Sequence, residues 1–150
     1  MPAKPIPPGY TTLTPTLCIE SAKKAIEFYV KAFGAETLDV THDPAGEKVL
    51  HSALRIGDAI IFVSDTFPEM GANQSQSSMW MYVPDIEASF KRAVDAGAAA
   101  VWPPTDMFWG DRMGVVVDPF GQRWTIATHV RDMTKEEMKR AQDEFFAKQP

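Results

Sequence analysis

Hydrophobic positions change their period along the chain, and each change marks an element. Ala22, Ala25, Ile26, Tyr29, Val30 and Phe33 recur at spacings of three and four, with Lys23, Lys24, Glu27 and Lys31 between them. This predicts an amphipathic helix from about Ser21 to Phe33, with Ser21 as N-cap and Gly34 as its stop. Residues 13–19 (LTPTLCI) predict a short strand before it, and Pro15 places that strand at an edge or marks its start. Three strands are expected afterwards: about Thr37 to His42, Lys48 to Ile56 and Ala59 to Ser64, separated by the turns Asp43-Pro44-Ala45-Gly46 and Gly57-Asp58. Residues 66–77 have a linker composition.

The same order of patterns then begins again. Residues 79–83 (MWMYV) predict a strand, and Asp85 is a candidate cap for a helix from about Ile86 to Ala96, ended by Gly97. Strands are expected at 99–102, Met113 to Val117 and Arg123 to Thr128, the last two joined by the turn Asp118-Pro119-Phe120-Gly121. Thr134 and Glu137 form a capping box for a C-terminal helix over 134–147. The cap candidates Ser21 and Asp85 are 64 positions apart, the turn glycines Gly57 and Gly121 are 64 apart, and the helix-ending glycines Gly34 and Gly97 are 63 apart. A βαβββ unit leaves one sheet face bare, so two such units can curve their sheets around a common cavity. The expected fold is therefore α+β: two tandem βαβββ modules, about 13–65 and 78–129, with curved mixed sheets enclosing a cavity. The competing reading is an ordinary α+β sandwich with coincidental spacing.

Composition narrows the function classes. The chain has 150 residues, 45% of them hydrophobic, which is enough for one cored domain. A net charge of −5 without a basic cluster argues against a nucleic-acid partner. Cys18 is the single cysteine, so no intrachain disulfide is possible, which suits a reducing, cytoplasmic setting. Residues 1–10 are rich in proline and predict an extended arm rather than a signal peptide. No apolar run has the length of a membrane span.

Several segments resemble the vicinal oxygen chelate superfamily of glyoxalases, bleomycin-resistance proteins and dioxygenases. They are Pro15-Thr16-Leu17, Ala25-Ile26-Glu27-Phe28-Tyr29, Phe33-Gly34-Ala35 and Leu54-Arg55-Ile56-Gly57-Asp58 in the first half. In the second they are Tyr82-Val83, Asp85-Ile86, Ala96-Gly97-Ala98 and Asp118-Pro119-Phe120-Gly121. The block 108–112 with Arg123-Trp124 and Ala127-Thr128-His129 is similar to the PhnB-like branch. The resemblance covers about residues 11–131. It implies a divalent metal held by His or Glu on the first and last strand of each half, where it would act as a Lewis acid. Carried over, those sites fall at Thr14, Ser78, Ile61 or Phe62, and Thr125. None is a His, Glu, Asp or Cys, so no metal ligand and no cofactor are expected unless the metal site is displaced.

Candidate chemistry lies elsewhere. His51 and Arg55 share one face of a strand, and His51 is a candidate base or lone metal ligand, or a partly buried structural histidine. Trp109 and Arg112, with Trp124 nearby, suit a flat or anionic ligand through stacking and charge-assisted hydrogen bonds, although Asp111 and Arg112 could instead pair structurally. Asp65 is a possible proton acceptor or a turn cap, and His129, at the end of the last strand, is read as strand-end decoration in preference to a place at the cavity rim. The expected ligand-binding set is His51, Arg55, Trp109, Arg112 and Trp124. The expected function is binding of a small organic ligand without the family metal; the alternative is a glyoxalase-like lyase or isomerase whose displaced metal site uses His51. The apolar run Met79-Trp80-Met81, the arm and Phe145-Phe146 point to a homodimer.

Overall fold

The computed structural model describes residues 2–150; Met1, the first residue of the expected arm, lies outside them. The chain divides into two compact units, with the boundary between Ser77 and Ser78. Unit 1 contains β1 (Thr16–Cys18), α1 (Ala22–Phe33), β2 (Glu36–His42), β3 (Val49–Ile56) and β4 (Ala59–Ser64). Unit 2 contains β5 (Ser78–Tyr82), α2 (Ile86–Ala96), β6 (Ala99–Asp106), β7 (Asp111–Val117), β8 (Arg123–His129) and α3 (Lys135–Ala147). The strand orders are β1-β4-β3-β2 and β5-β8-β7-β6. In each sheet the first strand runs parallel to the last, and the remaining neighbours are antiparallel. The repeat is therefore a repeat of fold: two βαβββ modules with curved, open mixed sheets.

Each sheet has one face against its helix. In unit 1, Leu17, Leu54, Ile61 and Val63 are buried together with Ala22, Ala25, Ile26, Tyr29 and Ala32 of α1. In unit 2, Gly114 of β7 meets the ring of Phe90 on α2, so Arg112, Gly114 and Val116 point to the helix side. The opposite, helix-free faces carry the alternate residues: His51, Ala53 and Arg55 in unit 1, and Asp111, Met113 and Val115 in unit 2.

Two local outcomes depart from the sequence expectation. Ser21 does not cap α1: its backbone is left-handed, at φ 67°, and its side chain makes no capping bond. The cap comes from Asp65. Its Oδ1 accepts the Ser21 and Ala22 N–H groups at 3.2 and 3.3 Å, and its Oδ2 accepts the Val49 N–H at 2.7 Å. The parallel β1–β4 pairing brings the end of β4 under the start of the helix. The second departure is β6, which continues through Pro103-Pro104 to Asp106. It is the edge strand of its sheet, where a missing N–H need not break a ladder. The two hairpin turns fall where the sequence placed them and are unequal despite their equally spaced glycines. Residues 57–58 join β3 to β4, whereas 118–122 join β7 to β8, and Asp118 Oδ1 accepts from the Phe120 and Gln122 amides. Asp85 and Thr134 do cap α2 and α3, accepting from Ala88 and Glu137. No helix among the described residues is long and apolar enough to cross a membrane.

Candidate functional site

The chemistry-bearing cluster grows out of the β7–β8 hairpin. Its register pairs Val117 with Arg123 and, six residues further out on each strand, Asp111 with His129. Both side chains stand on the helix-free face at the open end of the hairpin. Tyr82, which ends β5 beside Ala127 of β8, joins them there. Asp111 is 2% exposed. Its Oδ1 lies 2.8 Å from His129 Nδ1, and its Oδ2 accepts from the Tyr82 hydroxyl and the Trp109 indole N–H, both at 2.9 Å. His129 Nε2 is 2.7 Å from Oδ1 of Asp132. The turn before β7 is pinned at Gly110, whose carbonyl accepts the Val130 and Arg131 amides. That clamp holds Trp109 and Asp111 against the end of β8.

Burial opposes ionisation of Asp111, but the hydrogen bonds from His129, Tyr82 and Trp109 outweigh it and hold the carboxyl below its ordinary range. The bond to Asp111, then that to Asp132, raises His129 above its ordinary value. The Asp111 carboxylate raises the Tyr82 phenol. A charged imidazole fixed through Nδ1 and facing outward through Nε2 can accept an anion or hand over a proton. Trp80 and Tyr82 stand on the same face, 48% and 61% exposed, with Tyr82 joined to the imidazole through Asp111. Their ring centroids are 6.1 Å apart, and Trp80 is 6.4 Å from Trp109.

The residues singled out from sequence are divided between two faces and two units. Trp109 belongs to the cluster. Arg112 points to the helix side and pairs with Glu87 of α2 and with Asp106, not with Asp111. Trp124 is buried on that side too, and its indole N–H donates to Asp118 at 2.9 Å. His51 and Arg55 lie in unit 1 on the helix-free face, as the alternation implied. His51 meets Phe62 edge-on at 4.6 Å, Tyr10 lies 5.9 Å from the same Phe62 ring, and Arg55 is 3.5 Å from Glu36. Asp65 is consumed by the cap of α1.

Sequence reasoning passed over Tyr82 and set His129 aside as strand-end decoration. The signal for His129 was the hairpin: equal steps outward from the 118–122 turn reach Asp111 on one side and His129 on the other.

The metal positions implied by the family resemblance can be compared with the structure. Thr16 pairs with Phe62 and Trp80 with Thr125, so Phe62 rather than Ile61 corresponds to Thr125, and Thr14 corresponds to Ser78. Two hydroxyls of threonine, one of serine and a phenyl ring are not a donor set for zinc, nickel or iron, so these residues do not fit the metal. Among the described residues, no group of three or more His, Cys, Asp or Glu side chains is placed to hold a metal ion.

Comparison with known proteins agrees with this architecture. The profile of the Glyoxalase/Bleomycin resistance protein/Dioxygenase superfamily matches residues 11–126. An uncharacterised protein of Mycobacterium bovis is 38% identical over 138 residues, covering 86% of this chain and 90% of that one. Among solved structures, TioX from Micromonospora sp. ML1 superposes with a TM-score of 0.68 at 26% identity, covering 81% of this chain and 100% of its own. A gene product of Arabidopsis thaliana gives 0.60 at 28% identity, covering 78% and 96%. A PhnB protein from Bacillus cereus gives 0.63 at 16% identity, covering 79% and 99%, a likeness of fold alone. With the profile spanning most of the chain and both modules showing the same strand order, this protein belongs to the glyoxalase/bleomycin resistance protein/dioxygenase superfamily.

Proposed function

We propose that the chain is a small-molecule-binding protein of the glyoxalase/bleomycin-resistance type that works without the family's metal site. The observation that carries this reading is the helix-free face of unit 2. It presents two half-exposed aromatic rings, Trp80 and Tyr82, beside a fixed polar cluster. Large aromatic side chains standing in water on a sheet face suit a ligand that stacks. The inherited metal positions supply no ligands of the needed type, which separates this reading from a glyoxalase-like lyase or isomerase built around His51. The test is binding of flat aromatic compounds, followed by tryptophan fluorescence, before and after exhaustive treatment with a chelator. Equal affinity in both states is expected. Binding or turnover that requires added zinc, nickel or manganese would restore the enzyme reading.

We also propose a homodimer. β5 is an edge strand carrying Trp80 and Tyr82, and α3 exposes Phe145 and Phe146. Light scattering at tens of micromolar, on the order of a weak-complex dissociation constant, checks it, and a monomeric mass overturns it.

A further inference from the structure

We propose that His129 is the anion-recognition residue of the unit 2 face, and that it receives the carboxylate of a flat aromatic acid where Asp132 now sits. This rests on the small-molecule reading above and names the ligand class.

Three observations carry it. The imidazole is built in rather than draped on the surface: its Nδ1 bonds to a buried Asp111, itself fixed by Tyr82 and Trp109. Its other nitrogen already holds a carboxylate oxygen at 2.7 Å, so the site's compatibility with that group is on view. The carboxylate in question belongs to Asp132, whose side chain is fully exposed in the short coil after β8. An exposed ion pair of this kind is weak and readily exchanged. Swapping Asp132 for a ligand carboxylate leaves the charge around His129 unchanged.

The rest of the ligand is set by what surrounds the imidazole. Tyr82 bonds to the same Asp111, and Trp80 lies next to Tyr82 and Trp109. Tyr82 and Trp109 thus meet the imidazole through Asp111, and a planar ring attached to a carboxylate on His129 gains stacking contact by turning back onto the Tyr82 side. Asp132 acts as an internal competitor that occupies the imidazole until such an acid arrives.

Isothermal titration calorimetry of the full chain near pH 6, with 2-naphthoate and with neutral 2-naphthamide, tests the proposal. Naphthoate is expected to bind about tenfold more tightly than the amide, the worth of one charge-assisted hydrogen bond. Asp132→Ala is expected to tighten naphthoate about threefold or more and to leave the amide unchanged, because a competitor has been removed. His129→Gln is expected to reduce naphthoate to the level of the amide. Should His129→Gln not fold, Asp132→Ala and the imidazole NMR signal of His129, which must shift with naphthoate, carry the test. Equal affinity for acid and amide, or weaker naphthoate binding by Asp132→Ala, overturns the role of His129 while leaving small-molecule binding intact. No binding of either compound, in both wild type and Asp132→Ala, overturns the binding reading as well.

Discussion

Asp111 stays ionised in a buried place because three donors converge on it, and removing the charge should disturb all of them at once. Asp111→Asn leaves His129 without its anionic partner and places an NH₂ group where only acceptors fit. A loss of about 2–3 kcal/mol in denaturant unfolding is expected. The pH dependence follows from the directions of the two shifts. Asp111 lies below its ordinary value of 3.8, so its contribution is present above that value and is lost as pH falls through the lower folded one. His129 lies above its ordinary 6.5, so its contribution is complete below 6.5 and is lost as pH rises through the higher folded value. The pair should therefore stabilise most between about pH 4 and 6.5. NMR titration should find His129 above 6.5 in wild type and lower in Asp111→Asn; an unchanged value would show that Asp111 does not set it. Gly110 makes the geometry possible. Its φ is +97°, and a Cβ there would stand 2.2 Å from the Arg131 carbonyl. Gly110→Ala should cost about 3 kcal/mol and release Trp109, read as a changed emission spectrum. Little of this cluster was legible in the chain. Asp111 and His129 look like unrelated loop and strand-end residues until the register of one hairpin is known. Strand alternation places His51 with Arg55, whereas the faces of Arg112 and Trp124 follow from the register of the β7–β8 hairpin.

At the scale of elements, apolar periodicity located both first helices, and the chain's punctuation located most turns. The cap of α1 was not legible, because its donor groups are satisfied by a residue 43 positions from Ala22. Ser21 has a good capping side chain and the wrong backbone for it. A testable consequence is that Ser21→Gly should stabilise the protein by up to about 1 kcal/mol, since glycine accepts φ 67° without strain. A decrease in melting temperature would mean that the serine hydroxyl matters after all. In unit 2, the close contact of α2 with its sheet depends on Gly114. A Cβ at that position would come within 2.8 Å of the Phe90 ring and 3.0 Å of the Trp102 carbonyl. Gly114→Ala should destabilise by about 1–3 kcal/mol, as overpacking does, and Phe90→Leu should recover part of that loss.

The whole molecule is a duplicated module whose two copies have taken on different detail. The repeat was legible because helix stops and turn glycines survive at near-constant spacing, while the unequal hairpin turns show that constant spacing does not guarantee constant geometry. Because no donor cluster was found among the described residues, thermal unfolding should be the same with and without a chelator. A chelator-induced fall of several degrees would reveal a structural ion. The two ways of capping a first helix also bear on the order in which the chain acquires its structure. Asp85 is next to α2, so that helix can close its first turn from local sequence alone. The first turn of α1 gains its cap only when β4 has paired with β1 and delivered Asp65, whose second oxygen also ties down the start of β3. That cap is thus bound to contacts that are distant in sequence, which are slow to form. In kinetic experiments, Asp65→Ala should leave the folding rate nearly unchanged and accelerate unfolding if the cap forms after the main barrier. Asp85→Ala should slow folding if α2 belongs to the nucleus. Two copies of one module would then enter the native state by different doors, the second ahead of the first.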